Sequence, residues 1–122
     1  MATETVTSRI DSRGVAVVTL NNPNKHNVFD DHLITQISAI FEALEADQSV
    51  RVVILQAEGR SFSAGADLGW MRRMADYSHG ENISDATLMA KMFRRINTLS
   101  KPTIARVQGP AFGGGVGLVA CC

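Results

Sequence analysis

The sequence predicts an α/β fold in which buried strands alternate with helices, and three observations carry that prediction. Apolar, β-branched runs at 14–22 and 50–58 read as strands buried in a sheet. Between them Leu33, Ile34, Ile37, Ile40, Phe41 and Leu44 recur at helical spacing and give one buried stripe. Two loops of small residues, 59–67 and 109–115, each follow a strand, where layered α/β folds tend to bind ligands.

The elements follow in order. "TVTSRI" (5–10) alternates, and it pairs with "GVAVVTLNN" (14–22) in a hairpin turning around Asp11 to Gly14. "NNPNKHN" (21–27) is turn chemistry, after which Asp30 or Asp31 caps the first helix. "VRVVILQAE" (50–58) is the clearest buried strand. "GRSFSAGADL" (59–68) is a loop, and Asp67 caps a short helix through Met74. "YSHGEN" (77–82) reads as a mobile connection, so the next helix is expected to start at Ser84 or Asp85. Its apolar side carries Leu88, Met89, Met92, Phe93, Ile96 and Leu99. "KPTIARVQG" (101–109) is a short strand entered through Pro102, and "VGLVACC" opens a last helix. Strand–helix–strand crossovers of this kind are right-handed.

Composition bounds the function. A chain of 122 residues suffices for one domain with a core, and 45% hydrophobic against 20% charged residues is a globular balance. Twelve basic residues match twelve acidic ones, which argues against nucleic acid or an anionic membrane as partner. No apolar run reaches membrane-spanning length, and the N-terminus lacks the regions of a secretory signal. The two cysteines, Cys121 and Cys122, are adjacent and form no disulfide framework. A cytoplasmic protein is the expectation. His26, His32 and His79 show no metal-ligand spacing, so no metal is expected.

The glycine run in "GPAFGGGVGLVACC" (109–122) admits three readings. "GVGLVA" (115–120) matches a G-x-G-x-x-A dinucleotide fingerprint, although two strand–helix units precede it. The glycines alternatively let a helix pack closely on a sheet. Or they leave the first amides of a helix open to a ligand oxygen, half of an oxyanion hole, because those amides lack internal partners and carry the positive end of the helix dipole. The Ala64-Gly65-Ala66 segment then offers the second half.

Taken together, "NNPNKHNVFD", "SFSAGADL" and "KPTIARVQGPAFGGGVGL" resemble, in order and spacing, the enoyl-CoA hydratase/isomerase, or crotonase, family. The resemblance runs from about Val15 to Cys122. It implies a spiral of repeated ββα units, with residues 1–122 as its N-terminal part and the C-terminal half absent from the chain. It implies trimers or hexamers, an acyl-CoA thioester as substrate, and no cofactor beyond the coenzyme A that the substrate carries. By resemblance, the amides of Ala66 and Gly114 hold the thioester oxygen. Lys25, His26 and Val28 lie where the family wraps CoA. Ala64, Asp67 and Leu68 line its adenine and pantetheine region, and Trp70, Met71 and Met74 face or cover the acyl group. Read as residues alone, Asp67 is a helix cap, Lys25 a solvated turn residue and Trp70 ordinary core.

The implied chemistry is hydration of a 2,3-enoyl-CoA. The glycine segment is similar to members acting on branched or carboxylated substrates such as methylglutaconyl-CoA. An isomerase is the alternative, and a non-catalytic CoA-thioester binding subunit is an alternative of another class. Many hydratases of the family carry a glutamate where this chain has Gly117, and their second catalytic glutamate would lie beyond Cys122.

Overall fold

Alternation along the second strand sets the inside of the molecule. Ala16, Val18 and Leu20 are fully buried, while Val15, Val17 and Thr19 on the other face are half-buried. In a computed structural model, which describes residues 4–122, this strand is β2 (Val15–Leu20) of a four-stranded sheet. β1 (Val6–Ile10) pairs with it antiparallel, as the hairpin pattern predicts. β3 (Val52–Ala57) and β4 (Thr103–Ala105) add in parallel, so spatial order follows chain order. The helices are α1 (Asp31–Ala46), α2 (Leu68–Ala75), α3 (His79–Asn97) and α4 (Gly114–Cys121).

α1 buries Leu33, Ile34, Ile37, Phe41 and Leu44 of the stripe read from the sequence, with Val18, Leu20, Val53 and Leu55 in the same core, while Ile40 is only half-buried against it. Asp30 is its cap, accepting a hydrogen bond from the Leu33 amide at 2.8 Å. Its other end is closed from outside. The Lys101 ammonium donates to the carbonyls of Leu44, Glu45 and Asp47, cations being favoured where helical carbonyls are unpaired.

One expectation is corrected at α3. Residues 77–82 are not a connection leading to a helix start at Ser84 or Asp85. The helix begins at His79, with Ser78 as cap: the Ser78 hydroxyl accepts from the Glu81 amide, and the Glu81 carboxylate accepts from the Ser78 amide. This reciprocal pair satisfies two amides that otherwise have no partner, and it outweighs the turn-like composition and Gly80. Ser84 and Asp85 lie inside the helix.

Two isolated parallel bridges, Phe29 with Ala66 and Ser63 with Ala111, form a second, minimal ladder beside the sheet. The chain therefore repeats one path. A strand is followed by a bridging residue and then a helix, as in β2–Phe29–α1, β3–Ala66–α2 and β4–Ala111–α4. The bridging residues stand where the second strand of each ββα unit was expected.

The turn at 22–27 is fastened to the loop after β3 by Asn27, 1% exposed. Its side-chain amide donates to the carbonyls of Glu58 at 2.8 Å and Ser61 at 3.0 Å, and its oxygen accepts from the Asn22 amide at 2.8 Å. Both Asn27 and His26 adopt left-handed backbone, φ 53° and 54°, a region in which Asn and His are tolerated better than most residues. Asn27→Asp keeps the shape but sets a carboxylate against two carbonyl oxygens. That raises its folded pKa above the unfolded value of about 3.9. The variant is therefore least destabilised in acid and loses stability as pH rises through the folded pKa, by about 2–4 kcal/mol at neutral pH. Urea denaturation at several pH values measures this; a small, pH-independent loss contradicts it.

Candidate active site

Backbone hydrogen bonds bring the two small-residue loops together. The Ser63 hydroxyl, fully buried, donates to the Asn27 carbonyl at 2.8 Å and accepts from the Gly65 amide at 3.3 Å. The Ala64 amide donates to the His26 carbonyl at 2.9 Å. On the other side, the Phe62 amide donates to the Pro110 carbonyl and the Phe112 amide to the Ser63 carbonyl, both at 2.9 Å. The 59–67 loop is thus held between the 21–27 turn and the 109–113 turn.

Glycine is required at the point of closest approach. Gly65 has φ 95° and Gly113 φ 53°, conformations that side chains disfavour. A Cβ on Gly65 would stand 3.2 Å from the Phe112 carbonyl oxygen, and one on Gly113 would stand 3.6 Å from the Gly65 Cα. The two backbones touch one residue before Ala66 and one residue before Gly114.

The next amide on each side has no acceptor. Phe29 takes the Gly65 carbonyl and the Asp67 amide, at 2.7 and 2.6 Å, so the Ala66 N–H between them points away from the ladder. In α4 the Gly115 and Val116 amides bond back to Phe112 and Gly113, at 2.8 and 3.0 Å. Among the described residues, neither the Ala66 nor the Gly114 amide donates to a protein acceptor. Gly114 opens α4, where unpaired amides and the helix dipole favour negative charge.

The packing account of the glycines also holds, for other atoms of the same residues. A Cβ on Gly114 would meet the Phe29 ring at 2.6 Å, one on Gly115 the Ser63 carbonyl oxygen at 2.7 Å, and one on Gly117 the Phe93 ring at 2.8 Å. Glycine lets α4 lie against the 63–65 segment and α3 while leaving the Gly114 N–H free. The dinucleotide fingerprint does not survive. Its glycines, Gly115 and Gly117, sit within helix α4 as packing residues, whereas the fingerprint needs its first glycine in the turn before the helix. Gly117 is likewise no open position beside a substrate, because Phe93 of α3 already stands there.

The remaining candidates divide by exposure. Lys25, His26, Ala64 and Leu68 are exposed, and Val28 is half-buried beside them in sequence. The His26 Nδ1 lies 2.9 Å from the Ser61 hydroxyl. Asp67 acts as a helix cap, accepting from the Trp70 amide at 2.9 Å. Trp70 is 3% exposed and its indole N–H donates to Asp85 at 3.3 Å, which supports the core reading over pocket lining. Exposed apolar side chains near the two amides in sequence are instead Leu68 (69% exposed) and Met71 on one side, with Phe112 (60%) and Val116 on the other. Burial pushes the Cys121 and Cys122 thiols up, so neither is an activated nucleophile. Among the described residues no group of three or more His, Cys, Asp or Glu side chains is placed to hold a metal ion, and no helix is long and apolar enough to cross a membrane. Asn27, Ser63 and Phe93 were not singled out as site residues from the sequence. Asn27 and Ser63 lay within quoted motifs and Phe93 within an apolar stripe, but none of those signals gave its contacts in space.

A path of strand, bridging residue and helix, with two unpaired amides at touching glycine turns, defines an α/β protein with a candidate site built from backbone. The chain belongs to the enoyl-CoA hydratase/isomerase family, whose model matches residues 11–122. It is 38% identical over 109 residues to the short-chain-enoyl-CoA hydratase of Clostridium acetobutylicum, covering 88% of this chain and 41% of the relative. It is 32% identical over 120 residues to a mitochondrial Delta(3,5)-Delta(2,4)-dienoyl-CoA isomerase of Dictyostelium discoideum, covering 92% and 41%. An enoyl-CoA hydratase structure from Shewanella pealeana superimposes with a TM-score of 0.94 at 36% identity, over 97% of this chain and 44% of that one. The chain thus spans less than half the length of the curated relatives it matches.

The Gly117–Phe93 contact yields a test in which two effects compete. Alanine is favoured over glycine in a helix by about 1 kcal/mol, and overpacking costs about 1–3 kcal/mol. Gly117→Ala is therefore neutral to destabilising alone, and becomes stabilising by about 1 kcal/mol in a Phe93→Ala background. A denaturation double-mutant cycle reads the reversal; equal effects in both backgrounds would mean the ring does not confine position 117.

Proposed function

We propose that the protein carrying this chain is an enoyl-CoA hydratase in which the Ala66 and Gly114 amides hold the thioester oxygen of a 2,3-enoyl-CoA. One observation carries this reading: two unpartnered N–H groups follow directly on two backbones in contact. Such donors act where charge develops, and here that charge is the enolate oxygen formed as water adds to C3. Collapse of the enolate takes a proton at C2, so water is added across the double bond with no group lost. The first turn of α4 supplies the positive end of a helix dipole to that oxygen.

Gly117 has no side chain to move a proton, and Asp67 and Asp85 are engaged as a cap and as the Trp70 acceptor. The carboxylate that transfers the proton is accordingly assigned outside residues 1–122. The exposed Leu68, Met71, Phe112 and Val116 supply apolar surface for an acyl chain, and Lys25, His26, Val28 and Ala64 face the coenzyme A moiety. We assign a branched or carboxylated enoyl group as substrate, no separate cofactor, a trimeric or hexameric assembly and a cytoplasmic setting. Isomerisation is the second reading, favoured by the missing carboxylate at 117, since one acid–base group suffices to move a proton between two carbons of an enoyl-CoA. A non-catalytic thioester-binding subunit is the outcome if CoA thioesters bind and none is turned over.

The test falls on Ala66, because any side chain at 114 runs into the Phe29 ring. Ala66→Pro deletes an N–H that has no internal partner. It should lower kcat for crotonyl-CoA by about 10²-fold or more, while Ala66→Gly, which keeps the amide, stays near wild type. Circular dichroism verifies folding. Full turnover in folded Ala66→Pro removes this amide from the reaction.

A further inference from the structure

Phe29 bears on both unpaired amides, through different atoms. Its backbone forms the bridge to Ala66: the Phe29 amide donates to the Gly65 carbonyl at 2.7 Å, and the Phe29 carbonyl accepts from the Asp67 amide at 2.6 Å. Ala66 is thereby held on both sides, with its own N–H turned away from Phe29. The side chain goes to the other donor. A Cβ on Gly114 would stand 2.6 Å from Phe29 Cε2 and 2.7 Å from Cδ2, so one edge of the ring abuts the Gly114 backbone. Met89 Cε of α3, 3.0 Å from the same point, closes the contact from another side.

Neither end of this link is free to slip. Phe29 is fully buried, and it stands between Asn27, whose side chain makes three hydrogen bonds, and Asp30, which caps α1. α4 is fixed from a second direction. A Cβ on Gly115 would meet the Ser63 carbonyl oxygen at 2.7 Å, and the Phe112 amide donates to that same carbonyl. Burial alone would be met by any large apolar residue at 29. A ring adds rigidity, because its six carbons move as one plate. Close-packed interiors pass a change of even one methylene on to their neighbours. The width of the ring therefore bears directly on how far the first turn of α4 stands from the segment that carries Ala66.

We infer that Phe29 is a positioning residue for the oxygen site: its backbone holds Ala66, its ring edge holds Gly114, and the ring sets the separation of the two donor amides. This rests on the proposed thioester function and deepens it, because it assigns a residue that spaces the donors without touching the reacting atoms. Such donors must lie about 2.7 to 3.1 Å from the oxyanion, and a misplacement of about 1 Å costs up to about 10²-fold in rate. The effect belongs in turnover and not in ground-state binding, since charge on the oxygen is greatest in the transition state.

The experiment uses crotonyl-CoA with wild type, Phe29→Val, Gly114→Ala and the double variant of the protein carrying this chain, folding being verified by circular dichroism. Phe29→Val removes the ring edge and keeps a β-branched residue suited to a bridge position. It should lower kcat about tenfold or more and leave KM unchanged. Infrared difference spectra of crotonyl-CoA labelled with carbon-13 at the thioester carbon supply a readout that lost stability alone does not move. The carbonyl stretch of the bound thioester falls when both amides donate, and Phe29→Val should shrink that fall. Gly114→Ala drives a methyl into the ring and should lower kcat in wild type. In Phe29→Val the same methyl fills vacated space and should restore part of kcat and of the carbonyl shift. If Phe29→Val does not fold, Phe29→Leu, which removes Cε2 and keeps more of the buried volume, takes its place with the same expectations. Unchanged kcat with a full carbonyl shift in the folded variant, a loss confined to KM, or equal harm from Gly114→Ala in both backgrounds overturns the role of Phe29 while the thioester reading stands. In a protein that binds the thioester without turning it over, the carbonyl shift alone decides the role. Wild-type protein that neither binds nor turns over crotonyl-CoA overturns the thioester reading and this role with it.

Discussion

The arrangement depends on a buried side-chain amide. The Asn27 side chain has three hydrogen-bonding partners, all backbone groups, drawn from its own turn and from the start of the loop after β3. With it in place, its own carbonyl is positioned to receive the Ser63 hydroxyl, and Ser63 in turn bridges to Ala111. Polar groups buried this deeply are costly when unpaired and specific when paired, since few alternative geometries satisfy them all. The apolar core alone would tolerate small slides of one loop past another. The asparagine does not, and so the amides of Ala66 and Gly114 inherit fixed positions from a buried side chain in another loop.

Much of this was legible in the sequence because the signals are local. The period-two alternation of β2, the helical stripe of α1 and the caps at Asp30 and Asp67 each rest on residues a few positions apart, and each appears where it was read. The start of α3 was legible as well, in the serine and glutamate of "SHGE", but His79 and Gly80 between them resemble a turn. Cap chemistry prevailed over composition there. The bridges at Phe29, Ser63, Ala66 and Ala111 had no such signal. A single residue pair has no periodicity, and what fixes it is a partner tens of residues away.

The glycines show why motif reading stops short of geometry. From the sequence, a packing role and an open-amide role are competitors for the same run. In space they use different atoms. The missing Cβ of Gly114 makes room for Phe29, and its N–H remains without an acceptor. Gly117 goes the other way, since the ring of Phe93 claims the space that a family comparison would give to a carboxylate. Only the neighbouring helix decides that, and no spacing rule within residues 109–122 contains it.

The minimal ladder has a consequence for how such a chain can vary. Its rungs fall at Phe29, Ser63, Ala66 and Ala111, and the residues joining α2 to α3, Asp76 to Ser78, lie on none of them. Length can therefore change at that joint without displacing any rung, whereas one residue gained or lost between Ser63 and Ala66 would put the two bridges out of phase. The molecule separates a part that evolution can lengthen, shorten and re-surface from a part in which it must keep count. Exposed Met71, Ile83 and Leu88 belong to the first part, and the paired amides belong to the second. Side chains on α2 and α3 can then drift while the register that sets the Ala66 and Gly114 amides is inherited unaltered.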